Sequence, residues 1–126
     1  MSTPKPTANK EVAVRVCLNI LNPLETFTPR TCEATLMALS AKSIRLRTQA
    51  LSAADCDQLV ETKLVSKIEL ESPVLDEPLV LKAIIFWAKH VVVDDKIPAY
   101  ADLGFNFRPP NAEDQARLDK LLDSLK

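Results

Sequence analysis

The chain is 126 residues long, with 17 acidic against 16 basic residues, a net charge of −1 and 47% hydrophobic residues. That length suits one domain around a single core, and the near cancellation of charge excludes the global field that draws proteins onto nucleic acid or anionic membranes. Any charged ligand must therefore meet a local patch, and the single glycine excludes both the phosphate loop and the dinucleotide fingerprint, which need several.

Residues 1–10 are rich in Pro, Thr and Lys, lack the apolar run of a signal peptide, and are expected as a flexible N-terminal arm. From 11 to 20 the pattern alternates strictly, Val12, Val14, Val16, Leu18 and Ile20 against Glu11, Arg15 and Asn19, which predicts a half-buried strand. Residues 22–29 hold Pro23 and Pro29 and read as a loop. A second strand follows over 31–39, with Cys32, Ala34, Leu36 and Ala38 on its inner face. After a polar break at 40–43, residues 43–49 return as a hairpin partner, Ile44 and Leu46 inward, Arg45 and Arg47 outward.

Ser52 and Asp55 form a capping-box-like start to a short helix over 53–59, with Leu51 placed to staple onto Cys56. Residues 63–71 alternate again, with Leu64, Ile68 and Leu70 on one face. Residues 79–93 are nearly continuously apolar. Their β-branched density favours a central strand, covered on both sides or bent across two sheets, over the competing buried helix. Beyond a turn at 94–98, the last strand, 100–107, sets Leu103, Phe105 and Phe107 against Tyr100, Asp102 and Asn106. Pro109 and Pro110 end it, Asn111 caps, and Leu118, Leu121, Leu122 and Leu125 make the apolar stripe of a helix over 111–125 that must dock on the sheet. The whole predicts one mainly-β domain over 11–126, with no run long enough to span a membrane.

Cys17, Cys32 and Cys56 are odd in number, far apart and in no CxxC arrangement, so reduced thiols are expected rather than disulfides or zinc. His90 has no second nitrogen or sulfur ligand near it. Asp94 and Asp95 are adjacent acids in a turn with no nucleophile or oxyanion donor beside them, so no enzyme is expected. Trp87, inside so apolar a run, is expected in the core, and Gly104 in its strand marks close backbone approach or a bulge. Arg45 and Arg47 make an anion patch if Arg15 or Arg30 converges on them, and otherwise a solvated sheet face. Ser40, Lys42 and Ser43 offer hydroxyls and one cation to a phosphate, against the simpler reading of a plain hairpin turn.

The stretch 32–48 (CEATLMALSAKSIRLRT) runs a strand into a Ser-containing turn and on into x-Ile-x-Leu-x-Thr; 83–90 holds an apolar strand with Trp87; and 100–107 (YADLGFNF) places Gly104 and Phe107 before a closing helix. In this order they resemble the PilZ domain of bacterial cyclic-di-GMP signalling. The resemblance implies a six-stranded antiparallel PilZ-like β-barrel with a short helix and a C-terminal α-helix. That family's RxxxR motif would fall in the arm, which has Lys5 and Lys10 but no arginine, and lysine cannot give the planar two-pronged contact of a guanidinium. Its D/N-x-S-x-x-G motif lies over 38–43, where only Ser40 matches; Ala38 lacks the carboxylate or amide, and Ser43 replaces the glycine.

The resulting expectation is a non-catalytic PilZ-like regulatory or adaptor module of bacterial cyclic-di-GMP-type signalling, cytoplasmic, serving motility or biofilm regulation. It would act through a protein partner or self-association, without cofactor, metal, DNA or RNA, and bind cyclic-di-GMP weakly or not at all. The candidate ligand or anion residues are Lys10, Ser40, Lys42, Ser43, Arg45 and Arg47. The alternatives are an atypical cyclic-di-GMP receptor that recruits these basic residues and Lys5, and a small hydrolase or transferase built on Asp94, Asp95 or His90.

Overall fold

A computed structural model describes residues 9–21, 27–93 and 98–125. The alternating stretches form β1 (Asn9–Leu21), β2 (Phe27–Leu39), β3 (Ser43–Thr48), β4 (Val65–Glu71), β5 (Leu79–Val91) and β6 (Tyr100–Phe107). Helix α1 (Ala53–Thr62) lies between β3 and β4, and α2 (Ala112–Ser124) follows β6. All neighbours are antiparallel, and the sheet closes on itself in the order β1-β2-β3-β6-β5-β4 because β1 pairs with both β2 and β4. Closure gives each strand one inner and one outer face. Val14, Val16, Leu18, Leu46, Ile68 and Phe105 are among the buried inner side chains, each such burial contributing about 1.5–3 kcal/mol.

The two helices close opposite ends of the barrel. α1 follows the end of β3 and α2 the end of β6, and these strands run antiparallel, with Ser43 opposite Asn106. At α1, the Ser52 hydroxyl accepts from the Asp55 amide and the Asp55 carboxylate accepts from the Ser52 amide, each at 3.1 Å, completing the capping box. Leu51, Cys56 and Leu59 are buried in the core beneath it. At α2, the Asn111 side chain accepts from the Asp114 amide at 2.8 Å, and Leu118 and Leu121 are fully buried. Arg117 ties this helix to the β4–β5 connection through Asp76 at 3.3 Å and Glu77 at 3.1 Å. That contact with Arg117 holds the Asp76 carboxyl below its usual range.

Several boundaries and faces differ from expectation. β1 starts at Asn9, inside the stretch expected as an arm, and β2 starts at Phe27, so that Pro29 lies in a strand opposite Asn19. Proline fits there because β3 pairs with β2 only from Thr35 onward, leaving one side of β2 without a ladder at that point. α1 runs to Thr62 and ends at Lys63 in the left-handed conformation, φ 51°, so β4 starts only at Val65. Leu64 is thereby left 36% exposed, and Ser66 takes the inner position before Ile68 and Leu70. β5 is a strand, but its outer face is open to solvent instead of covered: Phe86 is 53% exposed. Cys32 and Cys56 are buried thiols whose pKa burial pushes up, while Cys17 is only half-buried.

Two outcomes follow. Leu118→Ala removes a fully buried anchor of α2 and is expected to lower stability by about 2–5 kcal/mol in urea unfolding. An acid whose folded pKa is depressed stabilises the fold above its unfolded value, about 3.9 for Asp, and that contribution is lost as the pH falls through the folded value. Arg117→Met should accordingly return the Asp76 titration, followed by carboxyl NMR, to the ordinary carboxylate range and abolish this acid sensitivity.

Candidate functional site

A filled barrel with both ends plugged leaves the outer surface for recognition. On β3, the outward residues are Ser43, Arg45 and Arg47; across the sheet they meet Asn106, Gly104 and Asp102 of β6, and beyond these Ile84, Trp87 and Lys89 of β5. Three parallel rows result. The β2–β3 turn, with Ser40 and Lys42, lies at the Ser43 end.

The turn is closed on itself. The Ser40 hydroxyl accepts from the amides of Lys42 at 3.3 Å and Ser43 at 3.0 Å, and lies 2.8 Å from the Ser43 hydroxyl and 3.3 Å from the Ser43 carbonyl. The Ser40 amide donates to that same carbonyl at 2.9 Å, and the Lys42 carbonyl accepts from the Phe107 amide at 3.1 Å. These are the bonds of an ordinary side-chain-stabilised turn. A phosphate would have to displace them. Ala38, expected inward, is exposed. A register shift between Leu36 and Ala38 carries it to the outer face opposite Arg45.

The candidate arginines do not converge. Arg15 pairs with Glu71 at 3.0 Å and Glu69 at 3.9 Å, and Arg30 with Asp55 at 3.1 Å. Arg47 grips Asp102 with both prongs, Nε to Oδ1 at 2.7 Å and Nη2 to Oδ2 at 3.1 Å, and its guanidinium lies 4.1 Å from the Tyr100 ring centroid. The Asp102 hydrogen bond raises the Arg47 pKa further. Arg45 differs: it has no carboxylate partner among the described residues, and its guanidinium stands 5.5 Å from the centroid of the Trp87 ring. Lys42 is exposed and likewise has no ion pair among the described residues. Lys10 lies in β1, separated from β3 by the whole of β2. Lys5, Asp94 and Asp95 fall outside the described residues. His90 is half-buried opposite Ala101, and no group of three or more His, Cys, Asp or Glu side chains that could hold a metal occurs among the described residues.

Trp87 is where the reading of the chain changes most. It is half-buried on the outer face, not in the core, because the register shifts between Ile85 and Trp87. The extra residue, Phe86, lets two consecutive aromatics face outward. Both stand over Gly104. A Cβ at that position would come within 3.1 Å of Phe86 Cζ and 3.2 Å of Trp87 Cε3, so the missing side chain is what gives the rings their seat. The sequence carries a signal for this. Leu79, Leu81, Ala83 and Ile85 keep one phase, and Leu103, Phe105 and Phe107 keep theirs, but the β5 phase breaks opposite the one glycine.

No protein-family model matches the sequence, and no curated protein matches it. Solved structures do resemble the fold. The PilZ domain with c-di-GMP of YcgR from Escherichia coli superposes with a TM-score of 0.62 at 14% identity, over 94% of this chain and 86% of that one. K. pneumonia MrkH gives 0.63 at 12% identity over 98% of this chain and 50% of its own. The PlzA protein of Borreliella burgdorferi, in complex with c-di-GMP, gives 0.53 at 18% over 89% and 43%. The chain therefore has a PilZ-like barrel, and it spans about half the length of MrkH and PlzA.

Trp87 is the one tryptophan of the chain, so its emission reports on this seat directly. Gly104→Val should push both rings off β6, red-shift the emission, raise its quenching by acrylamide, and cost about 1–3 kcal/mol from overpacking.

Proposed function

We propose that the chain is a non-catalytic regulatory or adaptor module of bacterial cyclic-di-GMP-type signalling, working through contacts with a protein partner and binding the dinucleotide itself weakly or not at all. The observation that carries this reading is the state of the β2–β3 turn. Ser40, the one residue kept from the nucleotide motif that the sequence resembles, spends its hydroxyl holding its own turn. Arg47, toward the other end of β3, is occupied by Asp102. The barrel is thus complete while Ala38 and Ser43 stand in place of the motif's acid or amide and its glycine, and Ser40 and Arg47 are engaged. Two structural neighbours carry c-di-GMP, which supports placing this fold in that signalling system. A cytoplasmic setting and an output in motility or biofilm control belong to the same proposal.

A second reading, an atypical cyclic-di-GMP receptor, is favoured by Lys42 and Arg45. Both lack a carboxylate partner among the described residues, and Arg45 already stacks on Trp87 beside the turn. Calorimetry separates the two. Titrating the full chain with cyclic-di-GMP should give no saturable heat in the micromolar range, for the native protein and for Ser40→Ala alike. Tight binding that is lost in Ser40→Ala or Arg45→Ala would establish the receptor reading in its place.

A further inference from the structure

The outer face of β5 carries an apolar strip with cations along both margins. Phe86, 53% exposed, and Trp87 form its centre, and Ile84 continues it to Val65 of β4, its register partner, which is 37% exposed. On one margin, Lys63 and Arg108 line a groove of about 390 Å³ with Ile84, Phe86 and Asn106. Lys82 adjoins them, because the Arg108 amide donates to its carbonyl at 2.9 Å, and Lys67 stands opposite Lys82. On the other margin are Arg45, over Trp87, and Lys89.

The distribution of ion pairs sets this face apart. Arg15, Arg30, Arg47 and Arg117 each have a carboxylate partner. Arg45 and Arg108 are the two arginines without one among the described residues, and both border the strip. The lysines beside them are unpaired as well, as is every lysine among the described side chains, and two acids near the margins, Asp102 and Asp114, are taken by Arg47 and Arg117. Unpaired cations around exposed aromatics are what an anionic, apolar partner selects.

From this we infer that the β5 face docks an acidic amphipathic helix of a partner protein, an inference that rests on the adaptor reading. A second copy of the chain does not fit: face-to-face two-fold pairing would set the cations against their own images. An added strand does not fit this face either, since it would pair along a backbone edge, whereas the strip is made of side chains on the outer face of β5, which pairs with β4 on one side and β6 on the other. A single-stranded nucleic acid needs free ring faces for base stacking, whereas Arg45 already stands over the Trp87 ring and Phe86 leans on Gly104. A helix suits the dimensions. Ile84 to Lys89 spans about 17 Å of strand, the length of about three helical turns. An apolar stripe at i, i+3 and i+4 would cover Ile84, Phe86 and Trp87, while flanking carboxylates meet the two cationic margins.

The test is selection of random peptides of helical length, displayed on phage, against the full-length chain. The expected winners carry leucine or aromatic residues at helical spacing flanked by Asp or Glu. Their affinity should fall with salt and drop about tenfold or more in Phe86→Ser and in the paired reversal Lys89→Glu with Arg108→Glu, while Lys120→Glu on α2 leaves it unchanged. The surface variants should keep the native melting curve. Winners that bind Phe86→Ser and the reversal variant undiminished would place docking elsewhere, overturning this surface while leaving the adaptor reading standing. No enriched peptide, together with saturable cyclic-di-GMP binding, would overturn both. Phe86-dependent binding of a single-stranded oligonucleotide with no acidic peptide enriched would replace the helix with nucleic acid.

Discussion

Closure of the sheet is the constraint from which the other features descend. β1 pairs with β2 on one side and β4 on the other, so the sheet has no terminal strand, and unpaired backbone is confined to strand ends such as β2 before Thr35. Each described strand side chain stands either on the filled interior or on the outer face. The interior is packed by aliphatic side chains and Phe105, and the two ends are plugged by α1 and α2 through Leu59, Leu118 and Leu121. What remains for recognition is side chains standing on the outside of strands.

Those rows divide into an engaged half and an open half. Toward β1 and β2 three arginines are matched: Arg15 with Glu69 and Glu71, Arg30 with the same carboxylate that caps α1, and Arg47 with Asp102. The turn at Ser40 is likewise satisfied by its own amides and hydroxyls. Across β6 the pattern reverses. One missing Cβ at Gly104 and one extra residue at Phe86 bring two aromatics to the surface, and Arg45 and Arg108 beside them have no carboxylate partner among the described residues. Exposed apolar surface rimmed by unmatched charge is a recognition surface rather than a storage of stability.

The fold was legible wherever a pattern was local. Alternation located five of the six strands and β-branched density located β5, Ser52 with Asp55 and Asn111 located the helix starts, and the outward set Tyr100, Asp102 and Asn106 was placed correctly. The misplaced side chains sit just beyond irregularities. Ala38 and Trp87 follow register shifts in β2 and β5, where one additional residue inverts the inside–outside assignment. Leu64 missed its face because α1 ended later than its polar pattern suggested. At the candidate site, the outward direction of Arg45 and Arg47 was readable, but their partners were not. Arg47 and Asp102 are 55 residues apart, and they meet only because β3 pairs with β6 instead of with the next strand in sequence. Gly104 announced a close approach without naming the rings that make it.

The central claim is that the β2–β3 turn is self-satisfied and closed to the dinucleotide. The amides of Lys42 and Ser43, both of which donate to the Ser40 hydroxyl, report on it most directly through their hydrogen exchange, measured with and without saturating cyclic-di-GMP. The account predicts that their exchange rates and chemical shifts stay the same. Protection or shifts confined to these two amides on adding the dinucleotide would contradict it.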